Sequence, residues 1–149
     1  MKKSIFIGSD HAGFRLKEEM KHYLSGLGYT VTDVGNVILD PEDDYVEFAL
    51  KVAQQVSCDR ESFGILVCDT GSGVTIAANK VSGIRAVNVW NEDVAHYARE
   101  HNDANVLCFG EKYVSSKEAE KILRIFIDTA FSSEERHQRR VRRINAIQR

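Results

Sequence analysis

Apolar residues recur along this chain with two alternating spacings. Short runs rich in Val, Ile and Phe have the length and composition of β-strands, and they fall at residues 4–7, 29–34, 63–67, 84–89 and 105–109. The segments between and after these runs carry apolar residues at helical spacing. Such alternation predicts an α/β fold, in which right-handed crossovers build a five-stranded parallel sheet with helices on both faces. Ligands of such sheets bind beyond the carboxyl ends of the strands.

The length of the chain and the absence of a linker predict a single domain. A chain of 149 residues can bury enough apolar surface for one core. The one proline, Pro41, lies in a loop before a helical stretch, and the sequence has no repeat or low-complexity tract. We therefore expect one domain over residues 1–149, with residues 133–149 forming an extra C-terminal helix.

Composition argues against several classes of protein. The net charge of −2 carries no signature of nucleic-acid binding, and no apolar run reaches the roughly 20 residues of a membrane span. The first apolar run is also too short for the core of a signal peptide. Three cysteines without a CxxC pair argue against a disulfide framework and against a zinc site. We expect a reduced, cytoplasmic protein without nucleic-acid or membrane partners.

Two of the predicted strands end in polar residues at the edge where ligands are expected. Asp10 and His11 follow the first strand, and an acid beside a histidine at this edge favours a functional role over a structural one. The third strand runs into Cys68 and a DTGSG turn, whose successive amides at a helix N-terminus are typical of anion sites. The turn matches neither the dinucleotide fingerprint nor the P-loop. The expected anion is therefore another phosphate or a developing oxyanion.

Cys68 admits two interpretations. Free cysteine is among the most buried residue types, so this residue could simply close a strand. Thiols beside helix N-termini ionise more readily, however, so it could also act as a base or a nucleophile. His101 and Asn102 come just before the fifth strand. His96 and His101 point about 140° apart on a helix, so they do not form a zinc pair.

The last segment, SSEERHQRRVRRINAIQR, is strongly basic. Its arginines are Arg136, Arg139, Arg140, Arg142, Arg143 and Arg149. An amphipathic helix with Val141, Ile144 and Ile147 on its apolar side would present them to solvent. A second interpretation is an anion clamp, because Arg136 and Arg140 lie four residues apart and can grip one phosphate from a shared helix face. Nucleic-acid binding is a third, for which one short basic helix is weak support.

Five ordered blocks of the sequence resemble one known family. They are SDHAGFRLK, CDTGSGVTIAANK, GIRA, EHNDANVLCFG and RHQRRV. In order and spacing they are similar to the ribose-5-phosphate isomerase type B family, which includes the galactose-6-phosphate and allose-6-phosphate isomerases. The resemblance implies a Rossmann-like three-layer sandwich and a homodimer or dimer of dimers with shared active sites. It also implies interconversion of ribose 5-phosphate and ribulose 5-phosphate without a metal or cofactor, a reaction of carbohydrate metabolism.

The resemblance further implies a role for each strand end. Cys68 matches the base that moves a proton between C1 and C2 through an enediolate, His101 the residue that assists ring opening, and Thr70 a hydroxyl that helps shuttle protons. The implied substrate-binding residues are Asp10, His11, Asp69, Gly71, Ser72, Gly73 and Asn102. The implied phosphate-binding residues are Arg136, Arg140 and Lys112.

Three positions depart from the family pattern. Asp69 stands where glycine is common, Lys112 replaces a common arginine, and Val46 replaces a frequent proline. These departures put the sugar in question more than the reaction. Some relatives use as base a glutamate at the position of Val74, and this leaves Cys68 as the candidate base here.

The sequence leaves other functions open. Within the same chemistry, the chain could isomerise a six-carbon sugar phosphate such as allose or galactose 6-phosphate. It could also be a catalytically silent sugar-phosphate binding protein. A cysteine hydrolase would require His101 to contact Cys68 and a third group to orient the histidine.

Overall fold

The computed structural model describes residues 3–147, which form a five-stranded sheet between two layers of helices. The strands are β1 (Ile5–Ser9), β2 (Val31–Asp33), β3 (Phe63–Cys68), β4 (Ala86–Val89) and β5 (Val106–Gly110). The helices are α1 (Phe14–Gly26), α2 (Tyr45–Cys58), α3 (Ser72–Ala78), α4 (Glu92–Asn102), α5 (Ser116–Asp128) and α6 (Glu135–Ile147). A single 3₁₀ turn, His11–Gly13, joins β1 to α1.

All neighbouring strands are parallel, in the order β2-β1-β3-β5-β4. The five predicted strands are therefore confirmed, each shifted by no more than a few residues at its ends. From β1 the chain forms β2 on one side, and it then returns to form β3 on the other side of β1. This reversal is a topological switch point, where the connections after adjacent strands leave toward opposite faces. The crevice of the sheet accordingly lies beyond the carboxyl ends of β1 and β3.

The two faces of β3 belong to two separate apolar cores. Every residue of the strand is buried. Ile65 and Val67 pack with α1, α4 and α5, whereas Leu66 and Cys68 pack with α2 and α3. A strand that is buried on both faces reads as a continuous apolar run, as parallel strands of three-layer folds do. The predicted α/β sandwich is thereby confirmed.

The C-terminal helix α6 packs on α4 through a narrow face. His137 and Val141 are its buried residues, and Ile147, predicted on the apolar side, is 78% exposed. The helix starts two residues later than the predicted 133, and residues 148 and 149, with Arg149, lie outside the described part of the chain. Within residues 3–147, no helix is both long and apolar enough to cross a bilayer.

Candidate active site

Cys68 closes β3 at the crevice. Its side chain is buried, and its Sγ accepts a hydrogen bond from the backbone N–H of Gly71 at 3.1 Å. This bond holds the sulfur against the turn that follows the strand. The other cysteines lie elsewhere: Cys58 is exposed at the end of α2, and Cys108 is fully buried, which raises the pKa of its thiol to about 12. Of the three cysteines, Cys68 is thus the one that lies at the edge where ligands are expected.

The backbone of the turn after Cys68 packs directly against the backbone at the end of the sheet. Gly71 has a φ of 78°, and a β-carbon there would collide with the side chain of Asn88. The Nδ2–H of Asn88 donates in turn to the carbonyl of Thr70 at 3.1 Å. A β-carbon at Gly110, at the end of β5, would lie 2.6 Å from the same carbonyl. Glycine at both positions lets the turn lie directly on the end of the sheet.

The amides of this turn are only partly free. Gly71 donates to the cysteine sulfur, and the amide of Ser72 lies 3.4 Å from the hydroxyl of Thr70. The amides of Thr70 and Gly73 have no acceptor among residues 3–147. The anion site predicted over residues 69–73 therefore stays a prediction, with these two amides among its available donors.

Asp10 and His11 face the same crevice from β1. The Asp10 carboxylate accepts the amide of Gly13 at 3.1 Å, and burial raises the pKa of this carboxyl. His11 is partly exposed, and its Nδ1 lies 2.8 Å from the carboxylate of Asp43. This hydrogen bond raises the pKa of His11. Asp10 and His11 thus lie at the edge where the sequence predicted them, and Asp43 lies beside His11.

Asp69 and Lys112 complete this edge. Both are exposed, and neither side chain has a hydrogen bond or ion pair within the described chain. The amide of Lys112 donates to the carbonyl of Asp69 at 3.1 Å, so the two residues lie side by side. Of the residues assigned to phosphate binding, Lys112 is therefore grouped with Cys68.

His101 and Asn102 lie at the end of α4, beside α6. The ring of His101 lies 4.2 Å from that of His137 and 4.9 Å from that of Tyr97, measured between centroids, and its Nε2 lies 3.1 Å from Glu100. His137 is buried, and desolvation together with the neighbouring His101 lowers its pKa.

The two arginines of the predicted anion clamp, Arg136 and Arg140, lie on α6 next to the rings of His101 and His137. Arg136 is exposed and pairs with Glu134 at 2.7 Å, while Arg140 has no ion pair within residues 3–147. Arg136 directly precedes the buried His137 and Arg140 follows it by three residues, so both lie at the end of the molecule on which His101 lies. The structure therefore brings together His101, Asn102, Arg136 and Arg140.

The predicted site residues thus form two groups at opposite edges of the sheet. The carboxyl-edge group contains Asp10, His11, Cys68, Asp69, Thr70, Gly71, Ser72, Gly73 and Lys112. The amino-edge group contains the four residues of α4 and α6. Helix α4 has 11 residues, so it carries the chain about 16 Å from one edge toward the other. Within one chain His101 cannot touch Cys68, so a hydrolase dyad of these two residues cannot form inside a single copy.

Two residues of the carboxyl edge escaped sequence reasoning. Asp43 is one of four acids in the stretch DPEDD, and composition does not tell which of them turns inward. Tyr45 begins α2, and its ring would lie 2.7 Å from a β-carbon at Gly73. No sequence signal distinguishes either residue from its neighbours. Among residues 3–147, no cluster of three or more His, Cys, Asp or Glu side chains is placed to hold a metal ion.

Comparison with known proteins identifies the family of this chain. The family described as Ribose/Galactose Isomerase matches residues 5–144. The chain belongs to this family. The isomerase family resemblance predicted from the five sequence blocks is thereby confirmed.

Individual members of the ribose/galactose isomerase family match almost end to end. Ribose-5-phosphate isomerase B of Escherichia coli is 40% identical over 146 residues, covering 98% of this chain and 97% of the relative. The crystal structure of ribose-5-phosphate isomerase B from Mycoplasma genitalium with bound ribulose-5-phosphate is 41% identical, with a TM-score of 0.94 over 99% of this chain and 97% of that one. The ribose 5-phosphate isomerase from Thermotoga maritima gives 40% identity and a TM-score of 0.93 over 98% and 99%.

The crowding at Gly71 generates a prediction with a matched control. Gly71 and Gly83 both have positive φ, 78° and 82°, but a β-carbon at Gly83 meets no atom within 4 Å. Gly83→Ala should therefore cost only backbone strain, about 1 to 2 kcal/mol. Gly71→Ala must also displace Asn88, which adds about 1 to 3 kcal/mol and moves the turn beneath Cys68.

Urea unfolding of both variants, with isomerase assays, measures the difference. We expect Gly83→Ala to retain activity and Gly71→Ala to lose most of it. Equal stability and equal activity of the two variants would show that the turn tolerates displacement.

Proposed function

We propose that this chain is an aldose-ketose isomerase that interconverts ribose 5-phosphate and ribulose 5-phosphate, as one domain over residues 1–149. The observation that carries the proposal is the position of Cys68: a sulfur at the switch-point crevice that accepts the amide of Gly71. Family membership supports a sugar phosphate as the substrate, as does the ribulose-5-phosphate bound to the relative from Mycoplasma genitalium. The three cysteines are free, in keeping with a cytoplasmic protein.

In the proposed reaction Cys68 is the base. Its thiolate removes the C2 proton of the open-chain aldose, and the electron pair moves onto the C1 carbonyl oxygen to form an enediolate. The thiol returns a proton to C1, while the Thr70 hydroxyl assists proton exchange between the two oxygens. Donors that face the developing negative charge lower the barrier, and each well-placed one is worth roughly 3 to 4 kcal/mol. The amides of Thr70 and Gly73 are among the donors that the turn has available.

The complete site requires a second copy of the chain. The base lies at the carboxyl edge, and the residues assigned to ring opening and phosphate binding lie at the amino edge, about 16 Å away along α4. In a two-fold dimer, the carboxyl edge of each copy could lie against the amino edge of its partner. Each carboxyl-edge group would then meet the partner's amino-edge group, and the dimer would have two complete sites. The proposal is therefore a homodimer, alone or as half of a dimer of dimers, with shared active sites.

The phosphate would bind where the two groups meet. Arg136 and Arg140 of one copy offer the planar guanidinium forks that match a phosphate, and Lys112 of the other copy offers a point charge. All three side chains are exposed, and Lys112 and Arg140 have no ion pair inside the described chain. Binding energy from the phosphate, which is remote from C1 and C2, then serves to position the reacting carbons.

The role of Cys68 is tested by removing its sulfur. Cys68→Ala should lower kcat about 10² to 10⁴-fold, the usual contribution of a general base, without loss of ribose 5-phosphate binding. Cys58→Ser is the matched control, because Cys58 is exposed and far from the crevice, and it should behave as the wild type. Turnover and proton exchange at C2 in heavy water measure the effect. Turnover of Cys68→Ala near the wild-type value would refute the base.

The preferred sugar is tested by comparing substrates. The exposed, unpaired carboxylate of Asp69 is free to contact a sugar hydroxyl, which makes it the residue through which a six-carbon sugar would be accepted or rejected. We expect kcat/KM for ribose 5-phosphate to exceed that for allose or galactose 6-phosphate by tenfold or more, roughly the discrimination available from one or two contacts. Asp69→Gly should change this ratio. A higher kcat/KM for a hexose phosphate would identify that sugar as the preferred substrate. Absence of proton exchange at C2 with every sugar phosphate tested would indicate a catalytically silent binding protein.

A further inference from the structure

Asp43 forms the closest side-chain contact that His11 makes. One oxygen of its carboxylate, Oδ1, lies 2.8 Å from Nδ1 of the His11 ring and accepts the backbone N–H of the same residue, also at 2.8 Å. The Asp43 side chain is 5% exposed, although it belongs to a loop of exposed residues. A carboxylate turned inward in this way is placed to act on the histidine.

The second oxygen of Asp43 connects it to the body of the protein. Oδ2 accepts a hydrogen bond from the side-chain amide of Asn36 at 2.9 Å. The carbonyl of Asn36 accepts from Nζ of Lys17 at 2.8 Å, and Lys17 is fully buried and paired with Asp33. A chain of hydrogen bonds thus runs from a buried lysine through the loop to the ring of His11. The loop is held in the position that lets Asp43 reach the histidine.

We propose that Asp43 is a positioning residue for the isomerisation, which holds the His11 ring with Nδ1–H toward its carboxylate and Nε2 free for the substrate. The proposal rests on the proposed function, because His11 has a substrate only if the crevice binds a sugar phosphate. Nε2 has no partner among residues 3–147, and the ring is partly exposed. An Asp–His contact of this kind fixes the tautomer and the ring orientation. His11 then presents one defined nitrogen to the sugar.

The charges around His11 act in the same direction. Asp43, Asp10 and Glu42 are the charged groups that face it, from the loop and from the end of β1, and all three are acidic. The hydrogen bond to Asp43 is the largest influence, and it raises the pKa of His11 above its usual value of about 6.5. Removing that carboxylate should lower the pKa of His11. Any limb of the pH–rate profile that reports His11 should then move to lower pH.

The test uses Asp43→Asn with Glu42→Gln as the matched control. Both changes remove one negative charge from the same loop, but the Glu42 side chain has no hydrogen bond to His11. Nitrogen NMR of the His11 ring gives its tautomer and pKa without reference to activity. We expect a neutral wild-type ring with the proton on Nδ1, a lower His11 pKa and a mixed tautomer in Asp43→Asn, and little change in Glu42→Gln.

Kinetics supply the second readout. Asp43→Asn should lower kcat/KM for ribose 5-phosphate roughly 10- to 100-fold, the range found when the hydrogen-bond partner of a metal-ligating histidine is removed. Combined with His11→Ala, it should add no further loss, because it acts through the histidine. The proposal would be overturned if Asp43→Asn lowered kcat/KM equally in the wild-type and His11→Ala backgrounds. It would also be overturned if Asp43→Asn left the tautomer and pKa of His11 unchanged. If the wild type shows no isomerase activity while the NMR response is as expected, the proposed function fails and the positioning of His11 stands.

Discussion

A crossover helix runs antiparallel to the strands that it connects, and the arrangement of this site depends on that constraint. Residues that directly follow a strand, such as Cys68 after β3, lie at the carboxyl edge of the sheet. Residues that end a crossover helix, such as His101 at the end of α4, lie at the amino edge. No local rearrangement brings the two together, because each is fixed by the direction of its own element. The separation is a consequence of the fold, and it is the reason for proposing a site shared between two copies of the chain.

At the carboxyl edge, the backbone segments that end the strands are packed closely against one another. Gly13 at the end of the 3₁₀ turn would place a β-carbon 2.6 Å from the Val67 carbonyl, and Gly110 would do the same to Thr70. The ends of β1, β3 and β5 therefore touch through main-chain atoms. At this edge the Cys68 sulfur is held by the backbone N–H of Gly71, and His11 is held by the buried carboxylate of Asp43.

The fold, and the residues that lie at the strand ends, could be predicted from the sequence. The contacts and distances between those residues could not. Apolar spacing located all five strands, because strands buried on both faces leave continuous apolar runs. Cys68, Asp10 and His11 were found since they directly follow such runs. Asp43 was not, because its inward turn depends on a hydrogen bond from Asn36 of the same loop and, through Asn36, on the buried Lys17 of α1. The distance between His101 and Cys68 likewise depends on helix direction, which local spacing does not reveal.

The shared site is tested most directly by mixing two inactive variants. Cys68→Ala and His101→Ala would be dissociated together and allowed to reassociate, and isomerase activity would be measured before and after. If each site takes Cys68 from one copy and His101 from the other, every hybrid dimer has one intact site. Random pairing should then restore about a quarter of the wild-type activity, because about half of the dimers are hybrids. Activity that stays at the sum of the two separate variants would contradict a site built from two chains.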